Sequence, residues 1–373
     1  MNVERRTSNV EHRTIPGKGH RPPASSKRQP SFVNRQLLRT KKRTVIIFGL
    51  LIAALLLVSI GSLQVGTVFF SFTRIIRMLF DYLFGITDSS MDATIVFRLR
   101  LPRIILGIVV GGGLAVSGVL FQGLFRNPLV EPYTLGVSGG AALGVSLGFL
   151  LGGAFPKLLL PLFGFAGAWL AVSFAYTIAR RRRFLKIPYL LLVGVMISFI
   201  CSALIMLLLS VVNLSTFRAV IYWTMGSLAG CDISLIRFAV PVILLGTAAS
   251  LGLAWTLNAL ALGEEGARHL GIRLERDKKW IFFLGALLAG TAVSVAGIIG
   301  FVGLIVPHTV RLIFGTDHRS LIPASFLAGG IFLVLCDTLA RTILAPMELP
   351  VGVVTGILGG GIFIYLLSRK SSG

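Results

Sequence analysis

Acidic residues are scarce in this 373-residue chain. Only 14 Asp and Glu stand against 36 Lys and Arg, and charged residues of both signs make up 13% of the whole. An ion-driven carrier places several carboxylates at mid-span along a pathway. Most of the apolar runs here have none at their middle, so no ion-coupling site is evident and the energy for any transport must come from elsewhere. Cysteine is equally sparse. Cys201, Cys231 and Cys336 are odd in number and widely separated, which points to neither a disulfide framework nor a metal cluster. His12 and His20 lie near the amino end and the other three histidines lack a ligand partner at suitable spacing, so no structural metal is expected. No GxxxxGK[ST] occurs, which excludes nucleotide hydrolysis through a P-loop on this chain.

What the chain has in abundance is apolar length. Hydrophobic residues make up 55% of it, the composition of an all-α polytopic membrane protein. Ten spans are expected, at about 44–66, 103–124, 132–153, 158–179, 187–211, 234–257, 279–297, 299–316, 321–342 and 350–368, the pair between 279 and 316 being poorly divided. Together they form one ten-helix transmembrane domain over 44–370. Residues 1–43 carry 12 of the Lys and Arg, are rich in Pro and Ser, and read as a disordered, basic cytoplasmic tail. The stretch 70–84 alternates an apolar face (Phe72, Ile75, Ile76, Leu79, Phe80, Leu83) with Thr73, Arg74, Arg77 and Asp81, the pattern of a helix lying in the membrane interface.

The net charge of +22 flanks apolar spans, so it speaks for membrane topology rather than nucleic acid. The basic tail fixes the amino end inside, and an even count of spans returns the carboxyl end to the cytoplasm. Arg180–Arg183 with Lys186, and the run from Arg268 to Lys279, then also fall inside. The sequence FRLRLPR breaks the rule by placing Arg98, Arg100 and Arg103 outside, and Arg341 joins them. Two readings stay open: these residues snorkel to lipid headgroups, or they form a basic outer surface for an acidic partner.

Within the spans, Gly107 and Gly111, Gly144, Gly148 and Gly152, and Gly352, Gly356 and Gly360 recur at small-xxx-small spacing, which lets helix backbones approach closely. Gly-Leu-Ala-Val-Ser at 113–117 is echoed by Gly-Thr-Ala-Val-Ser at 290–294, in spans of opposite direction; this is a weak sign of an inverted internal repeat. Asp337 and Arg341 are spaced i,i+4 and neutralise each other at the end of a span, with Glu348 a candidate third member. Gly136-Val137-Ser138-Gly139-Gly140 matches GxSxG formally and His308 lies in a later span, but the glycines continue a packing face, so an intramembrane serine protease is the weaker reading.

One long polar break interrupts the second half, Asn258 to Ile272. In it Gly263 opens a short helix with Glu264 and Glu265 in its first turn and Arg268 and His269 in its last, each sign matching the helix dipole. Glu264 and Arg268 form an i,i+4 pair, and Gly271 stands where a left-handed cap ends the helix. Two turns are marginal alone in water. The element is either a capped loop or a docking knuckle.

Several segments together resemble the FecCD, or BtuC-like, family of permease subunits of type II ABC importers for iron-siderophores, haem and vitamin B12. They are LRLPRIILGIVVGGGLAVSGVLFQGLFRNPLVEPYTLGVSGGAALG at 99–144, IYWTMGSLAG at 221–230, LALGEEGARHLGI at 260–272, GIIGFVGLIVPHTVRLIFGTDHR at 297–319 and ELPVGVVTGILGGGIFIYLL at 348–367. The resemblance covers about 44–370. It implies the BtuC-like ABC permease fold, a homodimer with its pathway on the axis, two cytoplasmic ABC ATPase subunits and a soluble or lipid-anchored substrate-binding protein. The site would be the multi-pass plasma (inner) membrane of a bacterium. It assigns Leu262, Gly263, Glu264, Glu265, Ala267, Arg268, Leu270 and Gly271 to a coupling helix in a groove of the ATPase. It assigns Arg100, Arg103 and Arg341 to pockets that receive acids of the binding protein, and Lys186, Ile187, Pro188 and Tyr189 to an inner gate, although relatives can carry small polar residues where Ile187 and Pro188 stand. No cofactor, metal or catalytic residue is implied for this chain; ATP and Mg belong to the ATPase. The rival from another class is an ion-coupled secondary transporter.

Overall fold

The computed structural model describes residues 29–66, 68–84, 90–151, 159–180 and 187–370. The chain divides into two units, Met1–Val45 and Ile46–Gly373. α1 (Gln29–Gln64) begins within the first unit and is already helical at Gln29, inside the stretch that composition alone assigns to a disordered tail. Pro30 sits in its first turn and Gln36, Leu37, Leu38 and Arg39 follow, residues that favour or tolerate helix.

The second unit holds no β-strand among the described residues. After α1 comes α2 (Phe72–Leu83), within the expected interfacial stretch. Its Ile75 and Met78 pack into a small cluster with Leu63, Phe70 and Ile104, while Phe72, Ile76 and Phe80 remain exposed. A turn, α3 (Met91–Thr94), runs through a π-helical stretch at Ile95–Arg100 into α4 (Leu101–Phe125). Then follow α5 (Val137–Leu150), α6 (Leu159–Arg180), α7 (Ile187–Val211), α8 (Leu214–Thr224), α9 (Ile233–Gly252) and α10 (Ala254–Leu260). The chain closes with α11 (Glu264–His269), α12 (Leu274–Ala296), α13 (Val302–Phe314), α14 (His318–Ala340) and α15 (Val351–Lys370).

Seven of these segments are long and apolar enough to cross a membrane, and three shorter apolar helices, Val137–Leu150, Val302–Phe314 and Val351–Leu366, make up the expected ten positions. Two of the ten differ from expectation. α5 and α13 have 14 and 13 residues, about 20 Å at 1.5 Å per residue, so neither crosses a bilayer core of about 30 Å alone. Pro132 and Gly136 hold back the start of α5, and Gly297 and Gly300 that of α13. Each half-length helix begins from a left-handed residue, Gly136 (φ 87°) and Phe301 (φ 68°). A long buried helix, an irregular stretch and a half-length helix thus occur twice, as α4–α5 and α12–α13, carrying the echoed sequences in α4 and α12.

α4 is the centre of the bundle, apolar on all sides and buried along nearly its whole length, as a helix surrounded by protein must be. Its glycines set the spacing. A Cβ on Gly111 would overlap the carbonyl of Gly329 in α14, and one on Gly118 the carbonyl of Gly303 in α13. The same close approach joins Gly140 and Gly144 of α5 to Gly167 of α6. α1, in contrast, presents apolar side chains such as Leu50, Leu56 and Leu57 outward.

Candidate functional site

The polar break folds as the spacing predicts, with one change of partner. α11 is bracketed by Gly263 (φ 101°) and Gly271 (φ 76°), conformations that a side chain would strain. The N–H of Ile272 donates to the carbonyl of Ala267 and closes the last turn. Ala267 is fully buried and anchors the helix, whereas Leu262, Leu270 and nearby Trp280 stand exposed around it. Glu264 does not spend its carboxylate on Arg268. It pairs instead with Lys278 Nζ at 2.8 Å, and Glu275 lies 3.9 Å from the same nitrogen. Lys278, in the first turns of α12, is 2% exposed.

The support beneath this knuckle is polar and specific. Thr256 of α10 donates to Asp277 of α12 at 3.1 Å. Asn258 donates to Asp317 at 2.7 Å and accepts from the N–H of His318 at 2.9 Å. Partial burial works against the charge of Asp317, but the hydrogen bonds from Asn258 and the Arg319 N–H prevail and hold its carboxyl below the usual range.

Beside the Glu264–Lys278 pair lies a cavity of about 620 Å³, bounded by Phe125 and Arg126 at the end of α4, by Ile187, Pro188 and Tyr189 at the start of α7, and by Arg268. Three of the four residues assigned to the inner gate therefore face the coupling element across open space. The fourth, Lys186, lies outside the described residues.

At the far end of α4, about 33 Å away at 1.5 Å per residue, the three arginines assigned to docking pockets are turned inward. Arg100, Arg103 and Arg341 are each less than a tenth exposed. Arg100 donates to the carbonyls of Leu63 at 2.6 Å, Gln64 at 3.3 Å and Val68 at 2.5 Å, capping the end of α1. Arg103 grips Asp337 with Nε at 2.9 and 3.0 Å and Glu348 with Nη1 at 2.9 Å. Arg341 donates to the Ser62 carbonyl at 2.6 Å, its Nε 3.7 Å from Asp337. Low dielectric is the reason: a guanidinium among helix ends must be paired. The expected Asp337–Arg341 pair and Glu348 are thus parts of a cluster whose hub, Arg103, sequence spacing did not supply.

Sequence reasoning also missed the residues that join the two half-helices. Glu131, which falls just before the expected span 132–153, accepts from the N–H of Phe301 at 2.6 Å through Oε1. The Tyr133 hydroxyl donates to the carbonyl of Ile299 at 2.9 Å and accepts from its N–H at 3.1 Å. Irregular backbone inside a membrane protein needs such partners. Gln122 serves likewise, donating to the carbonyls of Gly303 and Leu304 at 3.2 Å. Lys278 had a legible signal, since it interrupts an otherwise apolar face formed by Leu274, Ile281, Phe282 and Gly285. Ser138 and His308, the formal protease pair, sit on different half-length helices, α5 and α13.

A bundle with two broken-helix repeats, a charged knuckle at one end and a buried ion cluster at the other is the architecture of a membrane permease. The FecCD transport family matches residues 35–369, and the chain belongs to it. It is 39% identical over 330 residues to the hemin transport system permease protein HmuU of Yersinia pestis, covering 87% of this chain and 96% of that protein. It is 42% identical over 288 residues to the cobalamin import system permease protein BtuC of Halobacterium salinarum, covering 77% and 76%. A solved structure described as an inward-facing conformation of a metal-chelate type ABC transporter superposes with a TM-score of 0.77 at 31% identity, covering 87% of this chain and 99% of that one.

Proposed function

We propose that this chain is the membrane-spanning subunit of a type II ABC importer that brings a metal chelate (a ferric siderophore, haem or cobalamin) into the cytoplasm by alternating access. The observation that carries the reading is the knuckle. A helix too short to stand alone is held rigidly by α10 and α12 while presenting Leu262, Leu270 and Arg268 outward, the form of a surface that receives a partner. The names of the haemin and cobalamin relatives support a metal chelate as the cargo.

In this reading the subunit works as a homodimer in a bacterial plasma membrane, both termini cytoplasmic. Two ABC ATPases, which hold the ATP and Mg, seat on Leu262–Gly271, and the chain binds no cofactor itself. A soluble or lipid-anchored binding protein docks at the opposite end. There an incoming carboxylate would take the place of Glu348, 42% exposed at its side chain, on Arg103. The experiment is to purify the permease with its ATPase and binding protein and to measure ATP hydrolysis with cyanocobalamin, haemin or ferrichrome. Stimulation by one loaded binding protein supports the reading; a permease that binds no ATPase overturns it. The ion-coupled alternative finds little footing, because Asp337 is committed to arginine and Glu131 to a backbone N–H.

A further inference from the structure

The knuckle and the gate segment do not touch closely. α11 packs on α10 and α12, and the cavity separates it from Ile187–Tyr189. A push on α11 therefore has to travel through its neighbours. α10 holds α12 and the start of α14 through hydrogen bonds from the uncharged side chains of Thr256 and Asn258, the first part-buried and the second exposed. The link from α11 itself to α12 is of another kind. Lys278 buries a full positive charge at the base of α12, and Glu264, 2.8 Å away, is the closest carboxylate to it. Glu275 stands farther off at 3.9 Å and is more than half exposed. In a low-dielectric site the ammonium cannot part from its counter-charge without a large penalty. Glu264 and α12 therefore move together.

α12 is well placed to carry that movement onward. It packs against α4, α6 and α9, lines the floor of the cavity through Glu275 and Lys278, and ends at Gly297, where the irregular stretch held by Tyr133 and Glu131 begins. Displacing its first turn thus alters the cavity on one side and the junction of the two half-helices on the other.

We infer that Lys278 is a positioning residue for energy coupling: by pairing its buried ammonium with the part-exposed Glu264 it makes α11 and α12 one lever, so that ATPase movement reaches the gate through α12 rather than by direct contact with α7. The inference rests on the ABC permease reading above.

The test is the amount of cargo moved per ATP hydrolysed in proteoliposomes holding the permease, its ATPase and its binding protein, with ATPase copurification measured separately. Lys278→Met is expected to copurify with the ATPase and to lower cargo per ATP about tenfold. Lys278→Arg, which keeps the charge, retains at least half the wild-type ratio. Lys279→Met, a change at the exposed neighbour, leaves it unaltered. The exchange Glu264→Lys with Lys278→Glu restores the ratio to within about threefold. If Lys278→Met fails to assemble, Glu264→Gln breaks the same bond from its partly exposed side and gives the same drop. A Lys278→Met protein that keeps the wild-type ratio, or whose uptake and hydrolysis fall in step, overturns the inference; so does a Glu264→Gln protein that couples normally. Failure of the wild type to couple uptake to ATP at all instead removes the transport reading beneath it.

Discussion

Asp337 offers the sharpest quantitative test of the buried ion cluster. Its carboxylate is 2% exposed and lies 2.8 Å from Arg103 Nη2 and 3.7 Å from Arg341 Nε. In Asp337→Ala two guanidiniums, with side chains 11% and 6% exposed, would share only Glu348, 42% exposed at the rim. Removing one partner of a buried pair costs about 3–5 kcal/mol, because the other charge stays buried without compensation. At about 2–4 °C per kcal/mol for a chain of this order of size, the unfolding midpoint in detergent should fall by on the order of 10 °C. Glu348→Gln removes a far wetter charge and should cost about 1 kcal/mol or less. Arg103→Met combined with Asp337→Leu removes both members of the buried Arg103–Asp337 pair, leaves the buried Arg341 on the Ser62 carbonyl, and should recover more than half of the lost midpoint. Thermal unfolding followed by fluorescence in one detergent reads all three. A midpoint for Asp337→Ala within about 2 °C of wild type, or a double variant no better than the single one, would refute the reasoning.

Four further outcomes are expected. Gly118→Val drives a side chain into the carbonyl of Gly303 and should destabilise by about 1–3 kcal/mol or more, whereas Gly49→Ala on the outward face of α1, with no atom nearby, should be neutral in the same unfolding assay. Tyr133→Phe removes a hydroxyl that serves both the carbonyl and the N–H of Ile299, at about 1–3 kcal/mol; an unchanged midpoint would show that other groups take over. Burial pushes the Cys231 thiol up to about 11, so its rate of alkylation by a water-soluble maleimide should climb about tenfold per pH unit from pH 7 to 10, and a plateau below pH 9 would contradict that environment. Arg268→Ala on the exposed side of α11 should cut ATP-driven uptake while leaving membrane insertion intact; normal uptake would take Arg268 out of the docking surface.

What the chain reveals by itself depends on the range of the interaction. Local signals were readable: Gly263 and Gly271 bracket α11 because only glycine accepts those torsions cheaply, and the apolar runs mark ten helices because each must satisfy its own backbone in lipid. The halves of the inverted pair left only five echoed residues in α4 and α12. The shortness of α5 and α13 had to come from the fold, since a 20-residue apolar stretch reads the same whether its first third is helical or irregular. Pairings over long sequence distances were invisible. Arg103 meets Asp337 across 234 residues and Glu131 meets Phe301 across 170, and no spacing rule reaches so far. This is why Arg100 and Arg103 looked like part of an exposed basic surface: without a local partner in the sequence, they are satisfied in space. The offer of Arg268 to Glu264 was plausible by i,i+4 geometry, but burial of Lys278 creates the stronger demand for that carboxylate.

The central claim is that this acid-poor bundle has no power source of its own and takes it through α11. The most direct measurement is uptake of the chelate into liposomes that contain the permease alone, the permease with its ATPase, or all three components, each with and without ATP and with an imposed proton or sodium gradient. Accumulation only where the ATPase, ATP and binding protein are all present is the predicted result. Accumulation by the permease alone under an ion gradient would contradict it.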